Sequence, residues 1–299
     1  MSPSRKREAV DHLEGAFEVS ERRACTVLDQ PRSTQRYERK PASDEAVLVA
    51  RVHELVRQHP RFGYRRIAVL LKREGFQAGF DRVYRLWRRE GLKVPKTRRK
   101  KRRWGSSANG CARRRVERQN HVWAWDFIFD RTASGTSLKW LSVVDEFTRE
   151  CLCLKVARRM TSQGIIEVLR GLFVAHGVPQ HLRSDNGPEF IATALREWLE
   201  RSSVGPLYIE PGSPWENGYA ESFHSKLRDE FLGCEVFESV RDAMALGTAW
   251  RRQYNEVRPH SSLGYVTPAE FARACVPSAA APASTPAPPL QEHTLPLQP

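Results

Sequence analysis

The segment HVWAWDFIF, residues 121–129, is an aromatic run with one aspartate in its middle. Its aromatic and β-branched residues predict a β-strand. Asp126 stands in the middle of the segment, and because strand side chains alternate between two faces, Asp126 faces away from Trp125 and Phe127. A carboxylate among aromatic rings is costly to bury unless a cation accompanies it. Asp126 is therefore the first candidate functional residue.

Strand and helix patterns alternate along the chain after this segment. Further strands are predicted over residues 136–145, 150–156, 180–185 and 205–210. Thr161 is predicted to cap a helix that ends at Gly177, and two more helices are predicted over residues 188–200 and 213–232. The order β-β-β-α-β-α-β-α is typical of an α/β fold with a mixed sheet.

The second candidate carboxylate is Asp185, which ends the strand predicted over residues 180–185. Sheets of α/β proteins carry functional groups at the carboxyl ends of their strands. The alternative is structural, because Asp185 opens the sequence Asp-Asn-Gly-Pro and can serve as a helix N-cap or in an Asx-turn.

The third candidate lies in the helix predicted over residues 213–232. Glu216 has a structural role there, because Ser213-Pro214-Trp215-Glu216 is a capping box with proline at the first helical position. Glu221 has no such role. It borders the apolar stripe of the helix and shares a face with three polar residues, His224, Ser225 and Arg228. The helix can offer a carboxylate to a metal and a cation to a phosphate.

Asp126, Asp185 and Glu221 together are oxygen ligands of the kind that suits Mg²⁺, with Mn²⁺ as a substitute. Two such ions about 3.5–4 Å apart can activate an attacking oxygen and stabilise the leaving one in phosphoryl transfer. Other hydrolytic chemistries are disfavoured. No histidine shows a zinc spacing, no G-x-S-x-G motif occurs, and Cys151 and Cys153 fall inside a predicted strand.

Charge is distributed unevenly along the 299 residues, whose net charge is +14. Residues 1–120 carry 32 basic and 14 acidic side chains, whereas residues 121–299 carry 17 and 21. The basic first part predicts a polyanionic partner, most often nucleic acid. No apolar run approaches the ~18–20 residues of a membrane span, and the six cysteines include no C-x-x-C pair. A cytoplasmic protein without a membrane partner is expected.

Three predicted helices in the basic part form a helix-turn-helix, over residues 45–58, 64–75 and 81–91. The third helix directs four arginines outward, and these are the predicted DNA contacts Arg82, Arg85, Arg88 and Arg89. An ordinary three-helix bundle with a solvated basic face is the alternative interpretation.

A weaker pattern of the same kind precedes it. Residues 8–17 are predicted to be helical, Ser20 to cap a helix through Leu28, and Ser33 to cap a third helix that carries Arg36 and Arg39. A generic helical hairpin explains the pattern equally well.

A basic block, KTRRKKRR, follows at residues 96–103. Such a block repels itself unless it is paired with anions, so we predict that it lies against phosphates. The residues concerned are Arg98, Arg99, Lys100, Lys101, Arg102 and Arg103. A merely solvated linker is the alternative.

The chain therefore divides into six predicted segments. They are an N-terminal helical segment (1–41), a helix-turn-helix domain (42–95), a basic linker (96–120), a catalytic core (121–235), a helical extension (236–275) and a disordered Pro- and Ala-rich tail (276–299).

Four motifs carry a specific resemblance: WAWDF, SDNGPEF, SPWENGYAESFHSKLRDEF and YNEVRPHSSLGYVTPAEF. Together they resemble the second-frame (OrfB) transposase of the bacterial insertion-sequence three family, which carries a retroviral-integrase-like core. The spacings agree, with 58 residues between the two aspartates and 35 before the glutamate. Arg228, seven residues after Glu221, matches the family's basic residue, and the resemblance covers roughly residues 8–273.

The resemblance implies an RNase H-like fold with a mixed five-stranded sheet flanked by helices and preceded by helix-turn-helix segments. It implies DNA strand cleavage and transfer in which Asp126, Asp185 and Glu221 hold two Mg²⁺ ions. A water and then a DNA 3′-hydroxyl would attack, without a covalent protein intermediate. Arg228, Lys226 and His224 would contact DNA.

The implied partners are duplex DNA (terminal inverted repeats and target), a first-frame transposase protein and further copies of the chain on DNA. The implied location is the bacterial nucleoid. The chain begins with Met and has no leucine-zipper heptads, which is consistent with a second-frame product on its own. The zinc arrangement of retroviral integrase N-termini is absent from the sequence.

Two rival functions remain open from sequence. A DNA-binding regulator of transposition would bind element ends without turnover. A stand-alone RNase H-like nuclease would cut DNA without joining it, although the long basic N-terminal part argues against that function.

Overall fold

The computed structural model describes residues 1–37, 43–95, 116–184, 193–208 and 218–275. Contacts divide the chain into two units, Met1–Glu54 and Leu55–Pro299. The division falls inside the helix Glu45–Gln58, which has the predicted range. The helix-turn-helix segment from Leu55 onward and the core thus belong to one unit.

The first unit contains three short helices, which are α1 (Pro3–Phe17), α2 (Glu21–Val27) and α3 (Arg32–Gln35). A small core of Val10, Ala24 and Cys25 joins α1 and α2. Helix α1 begins before the predicted residue 8, because the Ser2 hydroxyl accepts a hydrogen bond from the Arg5 amide and Pro3 occupies the first turn.

The prediction for α3 was wrong. Pro31, not Ser33, stands at the N-cap, with φ of −61°, and the helix ends before Arg36. Proline at this position sets the backbone angle at which the helix begins, so Ser33 falls inside the helix. Arg36 contacts Glu21 at 2.9 Å, and Arg39 lies outside the described residues.

The helix-turn-helix consists of Glu45–Gln58 (α4), Tyr64–Arg73 (α5) and Phe80–Arg89 (α6). Gly63 and Gly79 stand at the N-caps of α5 and α6, and Gly75 with φ of +90° ends α5. The predicted inner faces are buried, and they comprise Ile67, Leu70 and Leu71 on α5 and Val83, Leu86 and Trp87 on α6.

Five strands form one mixed sheet: β1 (Val122–Arg131), β2 (Ser137–Asp145), β3 (Cys151–Ala157), β4 (His181–Ser184) and β5 (Gly205–Tyr208). Their order is β3-β2-β1-β4-β5. The first three strands are antiparallel neighbours, whereas β4 and β5 run parallel to β1. This topology confirms the predicted RNase H-like sheet.

The helices that flank the sheet are α7 (Ser162–His176), α8 (Thr193–Arg201), α9 (Gly218–Leu227) and α10 (Val240–Glu256), and α11 (Pro268–Cys275) follows. The Thr161 hydroxyl caps α7 by accepting from the Gly164 amide at 3.2 Å, as predicted. The predicted starts of α8 and α9 fall outside the described residues.

Each face of the sheet has its own apolar core. Trp123 and Trp125 of β1 pack with residues of α7 and α8 on one face. Ile128 of the same strand packs with Phe223 of α9 and Trp250 of α10 on the other. Because strand side chains alternate, Asp126 belongs to the face that α9 covers.

The end of the predicted helix 213–232 differs from expectation. Helix α9 ends at Leu227, and Arg228–Leu232 form a π-helical turn. The Gly233 amide donates to the Arg228 carbonyl at 2.8 Å, and a Cβ at residue 233 would lie 2.8 Å from that oxygen. Such turns often occur at functional sites.

No helix in the described part of the chain is long and apolar enough to cross a lipid bilayer.

Candidate active site

Asp126 lies in the middle of β1, opposite Ser142 of β2. Its side chain is 23% exposed, so the carboxylate is neither sealed in the core nor free in solvent. One carboxylate oxygen, Oδ1, accepts a hydrogen bond from the Phe127 amide at 2.7 Å. The other oxygen faces α9.

His224 of α9 is the residue that meets Asp126 there. Its Nδ1 lies 3.4 Å from Asp126 Oδ2, and its Nε2 lies 2.9 Å from Ser142 Oγ. Burial, and then the charge of Arg228, lower the pKa of His224 to about 4. The ring is therefore neutral at pH 7, and its contact with Asp126 is not a salt bridge.

Glu221 stands one helical turn before His224 on α9. Residues three apart on a helix share a face, so the packing that brings His224 against Asp126 also brings Glu221 to the same side of the sheet. Glu221 is exposed, as a ligand that must reach a cation or substrate has to be. The structure thus brings two of the three predicted carboxylates to one region.

The third predicted carboxylate, Asp185, lies outside the described residues. It follows Ser184, the last residue of β4, in the chain. Strand β4 is the parallel neighbour of β1, and the pairing includes Ala124 with Arg183.

A buried ion pair anchors this end of β4. The Arg183 guanidinium donates to both carboxylate oxygens of Glu146, at 2.9 and 3.0 Å, and the Glu146 side chain is fully buried. This pair was not predicted from sequence. The only sequence signal is an arginine within a short buried strand, which calls for a partner.

The oxygen donors of these carboxylates suit a hard divalent cation. Asp126 and Glu221 supply oxygen donors, which Mg²⁺ prefers, and both side chains retain access to solvent. Among the described residues, no three His, Cys, Asp or Glu side chains form a group that could hold a metal ion. The predicted third ligand is not among those residues.

A cleft of about 1070 Å³ opens beside α9. Glu221, Lys226 and Arg228 line it from the core, and Arg61 and Arg66 line it from the helix-turn-helix segment. Arg228 is exposed, and Lys226 is half-buried. Asp229 and Glu230 also line the cleft, so three carboxylates face four cationic side chains, of which only Lys226 and Arg228 were predicted from sequence.

Ion pairs hold the helix-turn-helix segment against the π-helical turn. Arg61 pairs with Asp229, and Arg66 Nη1 lies 3.0 Å from Glu230 Oε1. Arg258 also binds Glu230 through two hydrogen bonds of 2.5 Å. Burial alone would raise the pKa of Glu230, but the two arginines lower it below its usual range. The carboxylate stays charged.

The other residues predicted to contact DNA differ in their exposure to solvent. Arg85, Arg88 and Arg89 are exposed on α6, and Arg82 is half-buried with its Nη1 3.2 Å from the Gln77 carbonyl. His224 is buried against Ser142 and Asp126 instead of facing solvent. The six basic residues from Arg98 to Arg103 lie outside the described part of the chain.

Family models match most of the chain. Models described as an integrase core domain match residues 116–214 and 202–268, and a model described as an HTH-like domain matches residues 42–101. The first model covers β1, β2 and β4, including Asp126, and the second covers α9.

Known proteins are similar in sequence over most of the chain. A Burkholderia multivorans protein described as the "Insertion element IS407 uncharacterized 31.7 kDa protein" is 40% identical over 266 residues, which cover 89% of this chain and 95% of that protein. The Escherichia coli "Transposase InsD for insertion element IS2A/D/F/H/I/K" is 27% identical and covers 77% of this chain and 80% of its own.

Among solved structures, the HTLV-2 integrase catalytic core domain in complex with magnesium is similar over 52% of this chain and 99% of that one. The TM-score is 0.42 and the sequence identity is 17%.

Proposed function

This chain belongs to the integrase-core transposases of bacterial insertion elements, the second-frame proteins of the insertion-sequence three family, and we propose that it cuts and joins DNA strands at the ends of its element. The observation that carries this proposal is the meeting of α9 with β1. His224 contacts Asp126, and Glu221 stands one turn away on the same helix.

The proposed catalytic residues are Asp126, Asp185 and Glu221. Support for Asp185 comes from chain connectivity: it directly follows Ser184, and consecutive Cα atoms are about 3.8 Å apart. Strand β4 pairs in parallel with β1, with Arg183 opposite Ala124, and Asp185 and Asp126 each follow these paired residues by two positions in the sequence. The spacing of 58 and 35 residues between the three carboxylates adds support.

These carboxylates would hold two Mg²⁺ ions, with Mn²⁺ as a substitute. When bound, the ions would favour deprotonation of the attacking hydroxyl and stabilise charge on the leaving oxygen. The protein's own contribution is to orient the carboxylates. The Phe127 amide donates to Oδ1 of Asp126 and His224 packs beside Oδ2, and Arg228 would neutralise phosphate charge beside Glu221.

The proposed substrate is duplex DNA from the element ends and the target. The exposed arginines of α6 and the Lys226 and Arg228 side chains that line the cleft beside α9 support this, since phosphate contacts position a protein on DNA. A first-frame protein and further copies of the chain on DNA are part of the proposal, as is action at the nucleoid in the cytoplasm.

A strand-transfer assay tests the function. Purified protein, with and without a first-frame protein, is incubated with duplex oligonucleotides copied from the DNA flanking this reading frame, in Mg²⁺, Mn²⁺ or EDTA. We expect metal-dependent 3′-end cleavage and joined products. Binding without products would favour a regulator, and cutting without joining would favour a stand-alone nuclease.

Matched variants assign the residues in the same assay. Asp126→Asn, Asp185→Asn and Glu221→Gln should each reduce product at least about 100-fold, because each removes a charged ligand. Asp130→Asn on β1 is the control for the first, since Asp130 lies at the exposed end of the same strand. Glu235→Gln is the control for the third, since this exposed glutamate follows the π-helical turn. Activity retained in Asp185→Asn would refute the role of Asp185.

A further inference from the structure

A second, smaller pocket of about 230 Å³ lies against α9. Its cationic, histidine and serine side chains come from three separate segments of the chain, and Val144 and Tyr254 also line it. Ser222 and Lys226 come from α9, Arg149 comes from the turn between β2 and β3, and His260 and Ser262 come from the segment after α10. Ser222 is the immediate neighbour of Glu221, so the pocket adjoins the proposed catalytic carboxylate.

Positive charge is in excess around this pocket. Lys226 and Arg149 line it, and in the described parts of the chain neither has a carboxylate within 4.0 Å. Two more cations, Arg66 and Arg258, share the single carboxylate of Glu230. Burial and then Arg258 lower the pKa of Lys226 to about 8, with further contributions from Arg66 and Arg149. Such crowding of cations attracts an anion.

Hydrogen-bonding groups in the pocket have spare capacity. Nε2 of His260 is buried and has no hydrogen-bond partner among the residues that the structure describes, although the whole residue is only 4% exposed. Burial, and then the charge of Arg258, lower the pKa of His260 to about 2, so the ring is neutral. The hydroxyl of Ser262 comes from the next turn of chain. An unpartnered buried polar atom calls for a ligand or a solvent molecule.

The side chains of the pocket are positioned by contacts that leave their polar groups available. The Arg149 guanidinium lies 3.8 Å from the centre of the Tyr219 ring, a cation–π contact that fixes its direction without using its hydrogen-bond donors. The Lys226 ammonium donates to the Ser222 carbonyl and hydroxyl, at 3.0 and 2.6 Å, and has three donors in all.

We propose that this pocket, formed by Arg149, Ser222, Lys226, His260 and Ser262, binds one phosphate group of the DNA backbone next to the catalytic helix α9. The inference rests on the proposed function, because it takes DNA as the substrate. A volume of about 230 Å³ suits a single phosphate group and is below the ~300 Å³ of pockets that take larger ligands. A bound phosphate would fix the DNA relative to Glu221.

The salt dependence of DNA binding tests this site without requiring catalysis. The affinity for a random 30-base-pair duplex is measured in EDTA at several salt concentrations. Each phosphate contact that is lost should reduce the slope of log K against log salt by about one. We expect this reduction in Lys226→Gln and in Arg149→Gln.

The control variant is Arg252→Gln, which removes one positive charge from an exposed position on α10 outside the pocket. It should leave the slope unchanged. Circular dichroism verifies that each variant is folded. If Lys226→Gln does not fold, Arg149→Gln, which lies in the turn between β2 and β3, still tests whether the pocket binds a phosphate. Unchanged slopes in the folded pocket variants would overturn the proposal.

Adding inorganic phosphate distinguishes a site for free phosphate from a site for a phosphate group of the DNA backbone. If millimolar phosphate raises the Tm of the unaltered chain but not of Lys226→Gln, while the DNA slopes of the variants are normal, the pocket holds free phosphate and the DNA assignment is wrong. A protein that shows the expected slopes but makes no cleaved product in Mg²⁺ would refute the proposed function and leave the phosphate site intact.

Discussion

His224 of α9 lies against Asp126 of β1, with 3.4 Å between Nδ1 and Oδ2, and reaches Ser142 of β2 with its other ring nitrogen. A carboxylate that binds a metal needs a fixed orientation, which hydrogen-bonded neighbours supply. The packing that buries the apolar stripe of α9 therefore also orients a carboxylate on the sheet. In the proposed site His224 would act through Asp126, as a positioning residue.

We predict that His224→Ala lowers strand cleavage by about 10–100-fold, the usual effect of removing a partner of a metal ligand. Because the variant loosens Asp126 without removing it, the Mg²⁺ concentration for half-maximal rate should rise. Initial cleavage rates measured over a range of Mg²⁺ concentrations check this.

The control for His224 is Ser225→Ala, which truncates the exposed neighbour on the same helix. Its Mg²⁺ dependence should match that of the unaltered chain. An equal response to Mg²⁺ in both variants would mean that His224 does not position Asp126.

Gly247 of α10 makes a close contact that a second prediction uses. A Cβ at this position would lie 2.6 Å from Cζ3 and 2.9 Å from Cη2 of Trp140, which is fully buried on β2. Gly247→Ala should therefore destabilise the protein by about 1–3 kcal/mol, the usual cost of overpacking a core. Urea denaturation measures the change.

Gly171→Ala is the matched control for Gly247. Gly171 lies inside α7, and a Cβ there would meet nothing within 4 Å. Alanine favours helix over glycine by about 0.5–1 kcal/mol, so this variant should gain stability. A gain in stability for both substitutions would show that helix propensity outweighs the contact with Trp140.

Local patterns were enough to predict much of the fold and one feature of the site. Alternation along residues 121–129 predicted that Asp126 and Trp125 lie on opposite faces, and the two cores confirm it. The stripe of Ala220, Phe223 and Leu227 predicted the buried face of α9. These patterns have the period of their own helix or strand, so they can be read without knowing what packs against it.

Features that depend on distant partners could not be predicted in this way. His224 was expected to face DNA, but it borders the buried stripe and finds Ser142, which lies 82 residues earlier in the chain. Within the π-helical turn that begins at Arg228, Glu230 pairs with Arg66 and Arg258, which lie far from it in the chain. Such pairings follow from tertiary packing, which local propensity does not specify.

Glu150, at the end of the turn between β2 and β3, gives a prediction about pH. Burial, and then the neighbouring charge of Asp145, raise the pKa of its carboxyl to about 7, against the opposing influence of Arg273 and Arg251. The folded protein keeps this proton between about pH 4.5 and 7, where the unfolded chain has lost it. The free energy of unfolding should therefore fall as pH rises through this window.

Glu150→Gln removes that titration. Comparing Tm at about pH 5 and pH 8, we expect the variant to lose less stability than the unaltered chain as pH rises. Glu256→Gln is the control, since Glu256 is an exposed glutamate paired with Arg252 on α10. If Glu150→Gln and the unaltered chain lose equal stability, Glu150 does not hold a proton in the folded state.

The buried pair of Glu146 and Arg183 gives the last prediction. Glu146→Ala removes the buried carboxylate that accepts from Arg183 Nη1, and breaking such a pair from one side costs about 3–5 kcal/mol. Arg252→Ala breaks an exposed pair with Glu256 instead, which should change stability by less than about 1 kcal/mol. Urea denaturation compares the two variants.

Because Arg183 stands two residues before Asp185, Glu146→Ala should also lower cleavage at urea concentrations where the protein remains folded, whereas Arg252→Ala should not. Equal stability losses in the two variants would contradict the anchoring role of Glu146.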